Sequence, residues 1–288
     1  MNLSIIICTY NRGNILKKCL ESIRTQDYKK GEIEIFIMDD GSTDNTRKIV
    51  DEISKNFPYQ IFYYKFNHKG PAFLRNKAIE LSHYEYILFL NDDSILEKNC
   101  IEEHVKYLHK YKDAAIIGQI KWIKELFSPD YLYFYKWLLE NLPNYAEITD
   151  RFNCSCSFFI TMNLSIKKSW LEKEQFDESF PYPALEDNEL GYRLQKKGLK
   201  IIYNPNAICE HYHFLTPFEF VKKVYLVGKS ALHLKKKEPE LYSWVDRHWS
   251  LKQKFKRLLT HPNRMNLWEI LFALSYKKGK WDFQHEKL

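Results

Sequence analysis

The sequence predicts an α/β fold in which a mostly parallel central sheet has flanking helices and is followed by a helical C-terminal extension. Short apolar runs, such as residues 3–10 and 86–90, are typical of strands that are buried on both faces. After the first run, Ile15, Leu16 and Cys19 recur at the spacing of a helix that packs one face on a sheet. Strands and helices that alternate at this pitch form βαβ units with right-handed crossovers.

The first half of the chain continues this alternation without a linker or a low-complexity segment. Strands are predicted at residues 3–10, 33–38, 61–66 and 86–90, and helices at residues 14–25, 49–57, 71–81 and 97–111. Pro71 falls in the first turn of the third helix, where the missing backbone N–H has no intrahelical partner in any case.

The second half of the chain has a less regular pattern. Further strands are predicted at residues 114–118, 156–162 and 200–203, and a helix at residues 186–197 with Gly198 at its C-terminal cap. Residues 122–145 are dense in aromatic side chains and follow no single period. Everything beyond Thr216 has a helical pattern, and we therefore predict one domain over residues 1–216 and a helical extension over residues 217–288.

Charge is distributed unevenly between these two parts. Residues 217–288 carry 16 Lys/Arg and 7 Asp/Glu, a net charge of +9, whereas residues 1–216 carry 28 basic and 30 acidic side chains, a net charge of −2. A nearly neutral body with a basic extension favours anionic partners, such as lipid head groups, nucleic acid or phosphorylated substrates.

The cysteines and the N-terminal residues indicate the cellular compartment in which the protein works. The six cysteines include no C-x-x-C pair, and Cys8 lies inside an apolar strand, so we expect buried, reduced thiols. Residues 1–4 lead directly into that strand without a basic segment or a cleavage site, so we expect no secretory signal. Both observations indicate a cytoplasmic protein.

The stretch at residues 86–94 carries the clearest chemical pattern. A buried strand ends in Asn91, Asp92 and Asp93, at the carboxyl edge of the predicted sheet, where α/β folds bind ligands. Adjacent carboxylates repel each other unless a cation or hydrogen-bond donors neutralise them, and such oxygen ligands suit Mg²⁺ or Mn²⁺. The alternative is a solvated turn in which Asp93 or Ser94 caps the following helix.

Four strand ends should meet at this edge of the sheet. They carry residues 9–12, Asp39 with Asp40, residues 67–75 and residues 91–93. The sequence lacks the G-x-G-x-x-G of dinucleotide-binding folds and the Walker loop of phosphate-binding folds. The first strand end instead supplies hydroxyl, phenol, amide and guanidinium groups, which can hydrogen-bond a nucleobase and stack beside it.

Six short motifs follow one another along the chain. They are Ile-Ile-Ile-Cys-Thr-Tyr-Asn-Arg (5–12), Met-Asp-Asp-Gly-Ser-Thr-Asp (38–44), Gly-Pro-Ala-Phe-Leu-Arg-Asn (70–76), Leu-Asn-Asp-Asp (90–93), Phe-Asp-Glu-Ser-Phe (176–180) and Glu-Asp-Asn-Glu-Leu-Gly-Tyr-Arg-Leu (186–194). With these motifs in this order, the chain resembles the family-2 glycosyltransferases of the GT-A fold, which is the fold of nucleotide-diphospho-sugar transferases. The resemblance covers roughly residues 3–240 and implies a catalytic domain over residues 1–216.

The resemblance also implies a set of donor-binding residues. They are Thr9, Tyr10, Asn11, Arg12, Asp39, Arg75, Asn91 and Asp92. In similar enzymes the acid at Asp39 accepts a hydrogen bond from the base of the nucleotide, with Thr9 and Arg75 nearby, and Asp92 contacts the ribose or the water shell of the metal. Taken singly, Asp39 also fits a strand-exit turn and Arg75 a solvated helix face.

A divalent cation, Mg²⁺ or Mn²⁺, is the cofactor that the resemblance implies. The family's D-x-D pattern falls on residues 91–93, so Asp93 is the implied metal ligand, and Asn91 replaces the first acid of the commoner pattern. His211 is implied as a second ligand, and strand alternation places His213 on the same face as a secondary candidate. For each histidine the alternative is a surface residue without a ligand.

Asp187 is the candidate general base, with Glu186 as a secondary candidate. Transfer with inversion requires a carboxylate on the face opposite the departing diphosphate, where it takes the proton of the acceptor hydroxyl. Both acids begin a predicted helix, whose dipole favours the ionised form. The alternative is that they only stabilise the helix, and Leu185 stands where the family often has glycine.

The basic extension has the features of amphipathic helices. Residues 218–229 combine Phe, Val and Tyr with three lysines, and residues 251–259 interleave Leu and Phe with Lys and Arg. Such helices can lie in the head-group plane of an anionic membrane. Residues 267–276 contain Glu269 and are too short to cross a bilayer. The alternative is a helical cap with its basic face in water.

We therefore predict an inverting, metal-dependent glycosyltransferase of the hexosyltransferase type, which moves a sugar from a UDP-sugar to a hydroxyl of a glycan or lipid-linked glycan. Residues 122–145 are a candidate acceptor wall, with core packing as the alternative. Two other functions stay open, a non-catalytic nucleotide-sugar-binding module of this fold and a sugar-phosphate nucleotidyltransferase. We expect no nucleic-acid partner, and a peripheral position on the inner membrane face if the extension binds lipid.

Overall fold

The computed structural model describes residues 1–28, 30–141, 145–250, 252, 254 and 264–285. The chain folds into two compact units. The first comprises Met1–Ile123, Ala146–Glu178 and Leu190–His213, and the second comprises Lys124–Tyr145, Ser179–Glu189 and Phe214–Leu288. The catalytic domain over residues 1–216 and the extension beyond it stay a prediction.

Strands and helices alternate along the chain, as the sequence predicted. Within the described residues the strands are β1 (Leu3–Thr9), β2 (Ile33–Asp39), β3 (Gln60–Lys65), β4 (Tyr86–Asn91), β5 (Ser94–Leu96), β6 (Ala114–Trp122), β7 (Asn163–Lys167) and β8 (Lys200–His211). The helices are α1 (Gly13–Arg24), α2 (Thr46–Ser54), α3 (Pro71–Leu81), α4 (Cys100–Lys110), α5 (Leu132–Asn141), α6 (Lys168–Lys173), α7 (Glu186–Lys196), α8 (Pro217–Lys237), α9 (Pro239–His248) and α10 (Arg264–His285). As predicted, α7 ends before Gly198, whose φ of 96° is unfavourable for other residues.

The eight strands of the first unit that the structure describes form one sheet in the order β3-β2-β1-β4-β7-β6-β8-β5. The first four of these strands are parallel to one another, whereas β7 is antiparallel to both β4 and β6. In the parallel part Thr9 lies opposite Asp39, and Cys8 lies opposite Asn91. The carboxyl ends of β1, β2 and β4 therefore meet at one edge.

The core of the first unit lies on these central strands. Every residue of β2 is buried, and in β1 only Cys8 is more than slightly exposed. This explains why their sequences are continuous apolar runs and do not alternate. All six cysteines are free thiols, and five of them are buried, which agrees with the prediction.

The strand predicted at residues 156–162 is wrong. Cys156–Phe158 form a 3₁₀ turn, in which the hydroxyl of Ser155 accepts a hydrogen bond from the N–H of Ser157 at 3.3 Å. Strand β7 begins only at Asn163. The apolar run resembles a strand in the sequence, but a serine that bonds the backbone two residues on favours a turn.

The segment after β4 also differs from its simplest sequence interpretation. Ser94–Leu96 form β5, which pairs antiparallel with the end of β8, and α4 begins only at Cys100. A helix cap at Asp93 or Ser94 is therefore not formed. The strand predicted at residues 200–203 continues to His211, and this continuation is the partner of β5.

An irregularity in β8 positions the last residues of that strand. Gly118 of β6 lies opposite Asn204, whereas the next residue, Gln119, lies opposite Ile208. The side-chain amide of Asn163 donates to the carbonyl of Ala207 at 2.8 Å inside this bulge. A Cβ on Gly118 would lie 2.3 Å from the same carbonyl oxygen, so the close approach requires glycine. Bulges of this kind re-aim the residues that follow them.

The same asparagine anchors a buried histidine. The amide nitrogen of Asn163 donates to two backbone carbonyls, so its Oδ1 faces His104 Nε2 at 2.8 Å. Nε2 therefore carries the hydrogen, and Nδ1 accepts from the hydroxyl of Ser165 at 2.8 Å. His104 is completely buried, and burial lowers its pKa to about 4.

The second unit is built around an aromatic cluster between α5, α8 and α10. The ring of Trp137 lies 5.3 Å from that of Phe220 and 4.8 Å from that of Phe272, and its Nε1 donates to buried Glu269 at 3.1 Å. Core packing thus accounts for Phe134 and Trp137 of the aromatic segment. Of the predicted amphipathic stretch at residues 251–259, all but residues 252 and 254 lie outside the described residues.

We expect His104 to make the protein sensitive to acid. The unfolded chain takes up a proton near pH 6.5 and the folded chain only near pH 4, so stability is full above pH 6.5 and falls as the pH drops towards 4. The loss should approach about 3 kcal/mol. Urea unfolding of the wild type and of His104→Gln between these pH values measures it. Parallel stability curves for the two proteins would contradict the assignment.

Candidate functional site

The predicted site residues of the first unit gather at the carboxyl edge of the parallel strands. The hydroxyl of Thr9, at the end of β1, donates to Oδ2 of Asp92 at 2.8 Å. Asp92 and Asp93 follow β4 and are both buried. Asn91 ends the strand, and its N–H donates to the hydroxyl of Ser94 at 3.2 Å. The acid pair therefore lies beneath the surface of the edge and not on a solvated turn.

Arg12 bridges the two acids. Its Nη1 donates to Oδ1 of Asp92 at 2.8 Å, and its Nη2 donates to Oδ2 of Asp93 at 2.7 Å. Its backbone is fixed at the start of α1, because its carbonyl accepts from the N–H groups of Ile15 and Leu16. Two neighbouring buried carboxylates need a counter-charge of this kind.

Two histidines approach Asp93 from β8 and the segment after it. His211 Nε2 lies 3.1 Å and His213 Nδ1 lies 3.6 Å from Oδ2 of Asp93. The β5–β8 pairing positions them, because Ser94 lies opposite His211 and the N–H of Tyr212 donates to the carbonyl of Asp93 at 2.8 Å. The two imidazole rings stack with centroids 5.5 Å apart, on one face of the strand.

The two acids differ in their ionisation. Burial raises the pKa of Asp92 to about 6; repulsion from Asp93 adds to this, while Arg12 and Thr9 oppose it. Burial also opposes ionisation of Asp93, but His211, together with Arg12, outweighs it and holds the pKa of Asp93 well below its usual range. Asp93 therefore stays ionised to lower pH than Asp92 does.

The groups around Asp93 fit a divalent cation. Its Oδ1 is buried and has no hydrogen-bond partner in the part of the chain that the structure describes. One ligand atom each from Asp93, His211 and His213 lie within 4.8 Å of one another. A carboxylate with two imidazoles suits a transition-metal ion such as Mn²⁺, and a buried carboxylate oxygen without a donor is rare unless a ligand satisfies it.

Asp39, at the end of β2, is enclosed by protein donors. Its Oδ1 accepts from the N–H groups of Gly41 at 3.1 Å and Ser42 at 2.7 Å, and its Oδ2 accepts from the hydroxyl of Tyr63. Burial and the neighbouring carboxylate raise the pKa of Tyr63. The sequence interpretation missed Tyr63, because only the pairing of β2 with β3 brings it beside Asp39.

Asn11 and Asp40 shape the loops around this edge. Asn11 adopts a φ of 53°, and its side-chain oxygen accepts from the N–H groups of Thr43 at 2.7 Å and Asp44 at 3.3 Å. The carboxylate of Asp40, which was not predicted as a site residue, accepts from the N–H of Gly70 at 3.1 Å. Both side chains thus hold backbone in place with their own oxygens.

Tyr10 lies at the exposed rim of the edge. It is 46% exposed, and its ring centroid lies 4.8 Å from that of His68. No pattern in the sequence indicated His68, because it belongs to an irregular connection after β3. Together the two rings form an aromatic surface that is open to a planar ligand.

Arg75 and Asn76 connect two of the sequence motifs. Arg75 is buried on α3, with its guanidinium 5.3 Å above the ring of Phe176. The side chain of Asn76 donates to the carbonyl of Phe176 and accepts from its N–H, both at 2.9 Å. A solvated position for Arg75 is therefore wrong, and Arg75 and Asn76 are fixed to Phe176.

Asp187 and Glu186 belong to the second compact unit. They form the first turn of α7, as predicted, and Oδ1 of Asp187 accepts from the N–H of Asn188 at 2.8 Å. Leu185 has a φ of 72°, a conformation that favours glycine. The turn thus keeps the backbone conformation that glycine favours although a leucine occupies the position.

Sequence relatives are glycosyltransferases. The poly(ribitol-phosphate) β-N-acetylglucosaminyltransferase TarS of Staphylococcus aureus is 27% identical over 42% of this chain and 21% of its own length. A GalNAc(5)-diNAcBac-PP-undecaprenol β-1,3-glucosyltransferase of Campylobacter jejuni is 27% identical over 62% of this chain and 55% of its own length. The chain thus spans about a fifth to about half of these relatives.

Solved structures confirm the predicted GT-A fold. The mannosyltransferase PcManGT of Pyrobaculum calidifontis, in complex with GDP-Man and Mn²⁺, superposes with a TM-score of 0.61 at 16% identity, covering 98% of this chain and 72% of its own. Residues 1–349 of S. aureus TarS, in complex with UDP-GlcNAc, give 0.60 at 17% identity, covering 97% and 81%. The model of glycosyl transferase family 2 matches residues 4–174, which is more than half of the sequence, and the chain belongs to this family.

Proposed function

We propose that the chain is an inverting glycosyltransferase that uses a divalent cation to move a sugar from a UDP-sugar to a hydroxyl of a glycan or lipid-linked glycan. The observation that carries this proposal is the buried pair Asp92–Asp93, which has His211 and His213 beside it at the carboxyl edge of the sheet. TarS, which is similar in fold, binds UDP-GlcNAc, and the Campylobacter relative is named for an undecaprenol-linked acceptor.

The donor would lie across the edge formed by β1, β2 and β4. Tyr10 and His68 offer an aromatic surface to the base, and Thr9 and Asp92 offer polar atoms beside it. Asp39 is enclosed by Gly41, Ser42 and Tyr63, so the base would share its Oδ2 with the Tyr63 hydroxyl. Arg75 and Asn91 keep their proposed place in the donor site.

Asp93, His211 and His213 would hold the cation. Bound there, the ion would neutralise the charge that develops on the departing diphosphate. Asp93 supplies a carboxylate whose pKa is held well below its usual range, and its buried Oδ1 has no hydrogen-bond partner among the described residues.

Asp187 would act as the general base, with Glu186 beside it. Its position in the first turn of α7 favours the carboxylate form, because the positive end of the helix dipole lies there and the N–H of Asn188 donates to its Oδ1. An ionised carboxylate can take the proton of the acceptor hydroxyl as the glycosidic bond forms. The sugar would then leave the diphosphate with inverted configuration.

The basic extension is proposed to meet an anionic membrane surface. On α10, Leu271, Leu274 and Trp281 are exposed and recur on one helical face, with Lys277 and Lys278 also exposed. Glu269 is buried, so it does not interrupt this face. No helix among the described residues is long and apolar enough to span a membrane. A face of leucine, tryptophan and lysine is typical of helices that lie in the head-group region.

We expect metal-dependent turnover of UDP-sugars that depends on Asp93. Asp93→Asn should lower kcat/KM by about 10²- to 10³-fold, because the ion loses its charged ligand. Turnover of UDP-, GDP- and dTDP-sugars, with and without Mn²⁺, measures this, and Asp113→Asn, at an exposed acid, is the control. Unchanged activity of Asp93→Asn would contradict the metal site. Donor binding without turnover would favour a binding module, and formation of UTP and sugar 1-phosphate from the UDP-sugar on addition of pyrophosphate would favour a nucleotidyltransferase.

Replacement of the base should affect the chemical step alone. Asp187→Asn should lower kcat by about 10²- to 10⁴-fold while the affinity for UDP changes little, because the amide cannot accept the proton. Glu240→Gln, at another acid in the first turn of a helix, is the matched control. Single-turnover rates and UDP titrations distinguish the two effects. Activity that survives Asp187→Asn would remove this assignment.

Membrane binding should depend on the exposed face of α10. Leu271→Gln, Leu274→Gln and Trp281→Gln combined should reduce binding to phosphatidylglycerol-containing vesicles by about tenfold or more, and salt should weaken what remains. Flotation of the wild type with vesicles of phosphatidylcholine alone gives the reference for binding without anionic lipid. Phe152→Ser, which replaces an exposed aromatic residue of the first unit, is the control variant. Equal flotation of all variants would contradict the proposal.

A further inference from the structure

Arg12 contacts two of the residues that a cation at Asp93 would need. Its Nη2 lies 2.7 Å from Oδ2 of Asp93 and 3.1 Å from Nδ1 of His213. Both residues belong to the group that could hold a metal ion, together with His211. One positively charged side chain therefore contacts two of the three residues that would have to turn to the ion.

The hydrogen positions follow from the chemistry of the groups. A guanidinium can only donate, so Nδ1 of His213 accepts from Arg12, and its lone pair is used. His211 Nε2 lies 3.1 Å from Oδ2 of Asp93 and must donate to it, since a carboxylate only accepts. The nitrogen of each histidine that faces Asp93 is thus either bound to Arg12, in His213, or protonated towards Asp93, in His211.

The guanidinium and the ion cannot share this position. The Asp92–Asp93 pair is buried and needs one counter-charge, which Arg12 supplies in the absence of other cations. A divalent ion on Oδ2 of Asp93 would stand within a few ångström of Nη2 and repel it strongly at low dielectric. Binding of the ion therefore requires the Arg12 side chain to move.

The surroundings of Arg12 allow such a movement. The carbonyl of Arg12 is held by the first turn of α1, so its backbone stays in place. Its side chain is 28% exposed and leads to the edge where the donor would lie. A diphosphate offers the fork of a guanidinium the same bidentate geometry as the two carboxylates.

We propose that Arg12 is a resident counter-cation of the metal site, which a nucleoside diphosphate draws away from Asp93 and His213, so that diphosphate and divalent ion bind cooperatively. The inference rests on the proposed function for the identity of the ligands. Arg12 acts here as a positioning residue, because it controls the availability of the metal ligands through its own contacts. By thermodynamic linkage, the ion must raise the affinity for the diphosphate by the same factor.

The test measures Mn²⁺ binding without turnover. Mn²⁺ is titrated into the full chain, and free Mn²⁺ is followed by electron paramagnetic resonance, with and without UDP. Arg12→Gln should bind Mn²⁺ alone about tenfold or more tightly than the wild type, because the competitor is gone. UDP should then increase Mn²⁺ affinity by a smaller factor in the variant than in the wild type. Arg24→Gln, which removes a partly exposed arginine from the other end of α1, should behave as the wild type.

A second variant covers the case in which Arg12→Gln does not fold, which melting by circular dichroism would reveal. Arg12→Lys keeps one charge but cannot bridge both acids, so its affinity for Mn²⁺ should lie about threefold above that of the wild type. Mn²⁺ affinity that is unchanged or weaker in the folded variants would overturn the proposal. This outcome is independent of catalysis, because a protein that lacked transferase activity would still show the exchange at Asp93.

Discussion

The charge of two buried neighbouring carboxylates is the constraint on which the site of the first unit depends. Asp92 and Asp93 cannot both stay ionised inside the protein without a cation, and Arg12 meets this requirement by bonding both of them. His211 stabilises the charge of Asp93 and not that of Asp92, which is why the pKa values of the two acids shift in opposite directions. Asp93 thereby stays an anion, whereas the charge of the Asp92 carboxyl depends on its surroundings.

The mixed sheet makes this arrangement possible. A purely parallel sheet would bring Thr9, Asp39 and Asp92 together, but it would leave the histidines elsewhere in the fold. The antiparallel pairing of β5 with β8 places Ser94 opposite His211, and the bulge held by Asn163 determines how the end of β8 approaches the edge. Buried residues outside the candidate site, such as His104 beside Asn163, therefore contribute to the geometry of that site.

Many polar groups of the edge are satisfied within the protein. Asp39 accepts from Gly41, Ser42 and Tyr63, and Asn11 accepts from the backbone of the next loop. Each of these residues therefore has a structural role in addition to any contact with a ligand. Oδ1 of Asp93 is different, because it is buried without a donor among the described residues. This oxygen is the clearest physical sign that the edge is built to receive something positive.

The sequence by itself determined the α/β class, the parallel strands and the acids at their ends, because these follow from local periodicity and from the meeting of parallel strand ends at one edge. It also named Arg12, Asp93 and His211 as candidate site residues, through the family resemblance. Only the tertiary structure decided which atoms meet. His211 and Asp93 are 118 residues apart, and Tyr63 reaches Asp39 only through strand pairing. Such contacts depend on register, on one bulge and on which face a side chain takes, and none of these is encoded by neighbours in the chain.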